Sequence, residues 1–204
     1  NLLTPAFELN LRATKLSAKE LVDEMEPQLE IVPGSVSVNQ EALPNLYLNQ
    51  AVLANKFELI DQLTKKYEMP ITVFQKTKDG DFIRISTSLL TDTGSRAFGT
   101  KLGKNTHPGY QQLVSGNAYY GMASLFGANY VTAYIPLKID SNDVNVIIFA
   151  GLKVTKTLAS INKAITSYSE NSIGEMHLVD AKKILISSQD QPADFNAIQK
   201  TIKT

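Results

Sequence analysis

Arg84 lies in the stretch Phe82-Ile83-Arg84-Ile85-Ser86-Thr87-Ser88, where residue types alternate with the period of two expected of a half-buried strand. Alternation sends Phe82, Arg84, Ser86 and Ser88 to one face, and Ile83, Ile85, Thr87 and Leu89 to the other. A guanidinium flanked by two hydroxyls is a donor set for a carboxylate. The planar fork takes both oxygens and the serines satisfy the remaining lone pairs. In a second alternating stretch, Tyr130, Thr132 and Tyr134 oppose Val131, Ala133, Ile135 and Leu137. Tyr119, Tyr130 and Tyr134 offer apolar walls with phenol donors, as small-molecule pockets require. His107 and Lys101 are further candidate donors to an anion, and Arg96 is read as a brace for its own loop. Plainer readings stand beside these: Arg84 paired with a cross-strand acid, the tyrosines as half-buried strand residues, His107 as a helix cap, and Lys101 and Lys153 as solvated cations.

Composition narrows the chemistry. Lys and Arg number 20 and Asp and Glu number 20, so no basic field exists to gather phosphate backbones, and nucleic acid is not expected as a partner. The absence of cysteine removes disulfides, thiolate catalysis and thiolate zinc sites. No dinucleotide fingerprint, Walker loop, nucleophile elbow or H-E-x-x-H pattern occurs, and the two histidines, His107 and His177, fall on separate segments. No enzyme activity, cofactor or metal is therefore expected, although a carboxylate pair leaves no readable spacing and stays open as an alternative. The apolar stretch from Val144 to Leu152 is too short to span a membrane. A chain that begins at Asn1 is expected to be a soluble piece of a longer protein, so targeting is not read from it.

These residues need elements to hold them. Leu2, Ala6, Leu9, Ala13 and Leu16 alternate at four and three, which predicts a long amino-terminal helix whose seam packs either on a partner helix or on the chain's own sheet. Ser17 and Glu20 fit a capping box and a helix restart, and Pro27 then Pro33-Gly34 end the helical region. A short strand is expected at 35–39, a loop at 41–49 and a second helix from Val52 to Tyr67. Two hairpins follow, 71–75 with 81–89 and 119–125 with 130–137, separated by a glycine-bearing loop at 91–106 and a short helix after Pro108. That loop is read as a pocket lid. The stretch 144–153 is expected as a central strand leading into a helix through Tyr168, then a small hairpin and a short terminal helix from Asp194. The fold class is α+β, a PAS-like antiparallel five-stranded sheet on a long amino-terminal helix. Its parts are 1–33 for the helix, 34–155 for the binding module and 156–204 for a connecting helix with a small or incomplete second module.

The order and spacing of several segments resemble one family. They are 82–88, Gly94-Ser95-Arg96-Ala97-Phe98-Gly99-Thr100, His107-Pro108-Gly109-Tyr110, Leu125-Phe126-Gly127, the Tyr130, Thr132, Tyr134, Pro136-Leu137 series, and Phe149-Ala150-Gly151-Leu152. Together they resemble the Cache superfamily of extracytoplasmic sensors, in particular Cache type 3 modules alone or fused to a Cache type 2 module. The resemblance implies a periplasmic domain between two transmembrane helices of a membrane-anchored receptor. It further implies an output such as a chemotaxis signalling region, a histidine kinase or a diguanylate cyclase. It also implies a small organic acid as ligand, which agrees with Arg84 among hydroxyls. The function expected is ligand sensing by a homodimer joined through the amino-terminal helix, the alternative being a protein-interaction module without a small-molecule ligand.

Overall fold

Thr14, Ala18, Leu21, Val22 and Met25 share one stripe of a helix, and they are its only buried residues among the described side chains. In the computed structural model, which describes residues 3–154, 177–179 and 184–187, this helix is α1 (Leu3–Met25). Ser17 and Glu20 start no new helix, because the buried stripe continues on both sides of them. Pro27 stands in a single 3-10 turn, Glu26–Gln28, that closes α1. Of the expected seam, Ala13 and Leu16 are exposed, Leu16 by 66%, so these two do not pack on the chain's own sheet.

Strands β1 (Leu29–Val38), β2 (Glu41–Leu48) and β3 (Ala51–Val52) form an antiparallel three-stranded sheet; the short strand expected at 35–39 is the end of a longer β1, and β2 takes the place of the loop expected at 41–49. Pro44 and Asn45 favoured the loop reading. The structure tolerates them because Pro33 and Gly34 bulge out of the ladder between the Val32–Asn45 and Ser35–Pro44 pairs, where a missing N–H costs little. Leu43, Leu46 and Leu48 are buried, the last two at strand spacing. Helix α2 (Glu58–Tyr67) begins later than expected, since Val52 is in β3 and Leu53 and Ala54 plug the core from the turn that follows. Glu58 and Asp61 in its first turn and Lys65 and Lys66 in its last complement the helix dipole.

The main sheet contains β4 (Ile71–Lys76), β5 (Phe82–Thr87), β6 (Tyr119–Leu125), β7 (Ala128–Leu137) and β8 (Val146–Lys153). Its order is β5-β4-β8-β7-β6, antiparallel throughout, with β8 at the centre as its apolar run predicts. Phe126 and Gly127 make the β6–β7 turn with φ of 49° and 73°, the two left-handed residues of a tight hairpin. A short helix, α3 (Tyr110–Val114), precedes β6. The fold is thus α+β, a PAS-like five-stranded antiparallel sheet with a long amino-terminal helix.

The sheet has two unlike faces. Val73, Ile83, Ile85, Ala133, Leu137, Val146, Ile148 and Ala150 pack with α1, α2 and the small sheet in one core. Phe74, Phe82, Leu89, Tyr130, Tyr134, Ile147 and Phe149 form a second core with Ala97 and with Leu113 of α3. In the carboxy-terminal part of the chain, β9 (His177–Val179) pairs antiparallel with β10 (Ile184–Ser187). The helix expected after Val154 and the helix expected from Asp194 lie outside the described residues.

Candidate functional site

One extra residue in β5 decides which side chains accompany Arg84. Val73 pairs with Ser86 and Phe74 with Arg84, so Ile85 has no partner of its own and β5 bulges there. Before the bulge, Phe82 and Arg84 share the face of Phe74; after it the parity inverts. Ser86 donates to the Lys56 carbonyl, and Ser88 Oγ accepts from Thr64 Oγ1 at 2.7 Å and from the Ile71 N–H at 2.9 Å. Both serines are therefore committed on the helical side, and the expected trio of Arg84, Ser86 and Ser88 is corrected to Arg84 alone. Thr87 takes the vacated parity, with its hydroxyl 2.6 Å from that of Thr72.

Arg84 is 5% exposed. Its guanidinium lies 4.7 Å from the Phe74 ring centre and 5.6 Å from that of Phe126, and Nη1 donates to Thr100 Oγ1 at 2.5 Å. Nε is buried without a hydrogen-bond partner, and no carboxylate pairs with Arg84 among the described residues. Burial lowers its pKa to about 10, which still leaves it a cation at neutral pH. A buried charge is costly unless compensated, so an orphaned guanidinium marks a place where something anionic would be favourable.

The walls come from a bent sheet. Through the strand register Arg84 stands level with Phe74 and Ile147, whereas the β6–β7 turn lies beyond the level of Lys153. At ~3.3 Å per residue a flat sheet would separate the two by more than 20 Å. The observed 5.6 Å between Phe126 and the guanidinium requires the hairpin end to curl over this face. Gly121, Thr132 and Gly151 stand in one row across β6, β7 and β8, and the two glycines, without side chains, let the sheet crease there. A Cβ at Gly151 would meet the Phe149 ring at 2.7 Å, and one at Gly121 the Tyr119 hydroxyl at 2.9 Å.

Under the curl, His107 sits edge-on to Tyr134 at 4.6 Å and to Tyr119 at 5.3 Å, and Tyr134 leans on Phe149 at 5.0 Å. The structure thus brings Arg84, Tyr130, Tyr134, Tyr119 and His107 to one face. Thr132 is there too, but its hydroxyl donates to the Gly121 carbonyl and braces the crease. The His107 Nδ1 accepts the Gly109 N–H at 3.1 Å, which leaves Nε2–H as the free donor of the neutral ring. Burial first, and the Arg84 charge second, hold its pKa below the ordinary imidazole value. Tyr134 is pushed up to about 12 by burial, so it is a neutral phenol.

Lys101 is not part of this face. Its ammonium bonds Glu41 at 2.8 Å and Asp79 at 3.2 Å, and those carboxylates raise its pKa. The expected lid is largely an added edge. Gly99 N–H bonds the Arg84 carbonyl, Arg84 N–H bonds Thr100 and Leu102 N–H bonds Phe82, which covers the open edge of β5. Arg96 braces this segment as expected, forking onto Asp61 at 2.8 and 2.6 Å and stacking on Phe57 at 4.5 Å. Open clefts of about 240 and 510 Å³ elsewhere involve α1, α2 and the ends of β2 and β7, and share no residue with the Arg84 cluster.

A family model described as the Cache 3/Cache 2 fusion domain matches residues 8–201. The chain belongs to this Cache family. Cache domains are sensor modules, and the chain is an extracytoplasmic sensor domain of that kind. Such domains are in general ligand-binding and non-catalytic. No described helix is long and apolar enough to cross a membrane. A search of curated proteins gives no match. Among solved structures, this Cache domain is similar to the periplasmic domain of RsbU from Chlamydia trachomatis, with 15% identity and a TM-score of 0.35. The alignment covers 64% of the present chain and 45% of that one.

Three side chains beside Arg84 were not among the expected site residues: Phe74, Phe126 and Thr100. Phe74 had a usable signal, since it is the strand neighbour of Arg84 on the next hairpin arm. Phe126 had a weaker one, an aromatic where a tight turn calls for Asn or Gly.

Proposed function

We propose that the chain is the ligand-recognition domain of a transmembrane signalling receptor, such as a chemotaxis receptor, a histidine kinase or a diguanylate cyclase, and that it binds a small organic acid on Arg84 in the periplasm. The observation that carries this reading is the buried guanidinium with an orphaned Nε and no acidic partner among the described residues. The carboxylate would take the place of that missing partner, with the neutral His107 Nε2–H and the Tyr134 phenol as neighbouring donors. Nothing in this arrangement supplies a nucleophile with a base, so recognition rather than turnover is its chemistry. Central strand β8 contributes Phe149 to the face and leaves the sheet at Lys153, so a ligand that shifts β8 would shift the chain that follows. A coupling of ~1–3 kcal/mol is enough to bias a two-state receptor.

The test is calorimetric titration with a panel of small mono- and dicarboxylates. A charged hydrogen bond is worth ~1.5–3 kcal/mol, so Arg84→Ala is expected to weaken the best ligand by about 10- to 150-fold. Unchanged affinity for every carboxylate would remove the basis of the reading. The exposed Ala13 and Leu16 of α1 further support pairing with a second copy through this helix. Sedimentation should show concentration-dependent association that Leu16→Glu abolishes, and a monomer at all concentrations would refute it.

A further inference from the structure

We infer that the Arg84 site is built for a monoanion with a flat apolar body, and that it discriminates against a second negative charge. This rests on the carboxylate-sensing reading above and deepens it. The argument is a count of charges around the guanidinium. Arg84 is buried, its Nε lacks a hydrogen-bond partner, and no acid pairs with it among the described residues. Of the other cations nearby, Arg96 is engaged by Asp61, Lys101 by Glu41 and Asp79, and Lys104 by the Asp79 carbonyl, while Lys76 at the far end of β4 and Lys78 in the turn after it have no ion pair among the described residues and reach solvent. Lys153 lies on the same strand face as Tyr130 but is exposed, where solvent and salt screen it. His107 has its Nδ1 lone pair bound to a backbone N–H and stands beside a cation, so at neutral pH it adds a donor without adding charge.

The remaining charge nearby has the wrong sign for a second carboxylate. Asp81 is buried, with Oδ1 accepting the Phe82 and Gly103 N–H groups, and its field reaches both His107 and Tyr110. One cation in a low-dielectric setting neutralises one anion. A second carboxylate would be desolvated beside Asp81 without a partner. Rings dominate what stands nearest: Phe74 and Phe126 lie against the guanidinium, His107 is edge-on to Tyr134 at 4.6 Å, and Tyr134 is tilted on Phe149 at 5.0 Å. Aromatic walls favour a flat apolar body stacked or set edge-on among them.

Matched probes test this on the whole chain at pH 7.5: benzoate against terephthalate, and hexanoate against adipate, by calorimetry. Each monoanion is expected to bind at least about tenfold more tightly than its dianionic partner, benzoate more tightly than hexanoate, and Arg84→Ala to weaken every probe by about 10- to 150-fold and to remove the discrimination. His107→Arg supplies a permanent second cation and is expected to close or reverse the benzoate–terephthalate gap. Arg84→Lys serves as a folded control that keeps the charge but loses the fork. Dianions binding as tightly as monoanions, with Arg84→Ala still weakening binding, would overturn the charge count while leaving carboxylate sensing intact. Preserved discrimination in Arg84→Ala would overturn both.

Discussion

The two faces of the five-stranded sheet are made by the same strands and serve opposite ends. On the helical side, Leu21, Met25, Ile60, Val73, Ile83 and Ile148 are almost fully buried in one aliphatic core. Charge is confined to the rim of that side, as in the pair of Lys66 with Glu24. On the other side an equally dry cluster, half of it aromatic, encloses a cation with a donor unfilled among the described residues. Equal burial therefore does not mean equal contribution to stability. The aliphatic face holds the fold together, whereas the aromatic face carries a buried charge that a purely structural core would not contain.

The largest expected effect lies on the aliphatic face. Leu21→Ala removes a fully buried side chain from α1 and should cost ~2–5 kcal/mol in denaturant unfolding. Its ligand affinity, measured below the new unfolding midpoint, should stay at the parent value. A comparable loss of affinity would show that the two faces are not separable.

Arg84→Met makes the converse case. It keeps a stem of similar length and removes the uncompensated charge, so stability should lie between no change and a gain of about 1–2 kcal/mol while carboxylate binding is lost. A loss of several kcal/mol would mean that the guanidinium is a structural member and would break the comparison.

The smallest effect is one of pH. Because His107 is held below its ordinary value of 6.5, the folded chain binds this proton more weakly than the unfolded chain does. Its contribution to stability is full above 6.5 and is lost as pH falls through that value toward the lower folded one. Melting temperatures taken from pH 8 to pH 5 should decline on the acid side, and His107→Asn should flatten part of that decline.

Period-two patterning located four of the five main strands to within about two residues, and the apolar run of β8 marked the central one. Other features are set by tertiary partners and leave no periodic trace. The Ile85 bulge is one: the carbonyls of Lys56 and Ile85 bond across to Ser86 and Asn55, and that contact with the turn before α2 inverts the parity of Ser86 and Ser88. Strand β2 was hidden because Pro44 reads as a breaker unless the bulge opposite is known. In α1, the leucine and alanine spacing pointed to Ala13 and Leu16, yet the core takes Thr14, Ala18 and Leu21. Arg84 itself was legible, since an arginine among isoleucines on a strand is conspicuous. That its company is aromatic rather than hydroxylic follows from the curl of a hairpin too distant in register for sequence spacing to reveal.

The row at 121, 132 and 151 gives that curl a further meaning. On the proposed reading, a guest admitted beside the guanidinium would change how steeply the Phe126 end leans inward, and the flexure that accommodates it would include Gly151 of the middle strand. Since Lys153, the last residue of that strand, is only two positions on, occupancy and the direction in which the backbone departs the sheet are two readings of a single curvature.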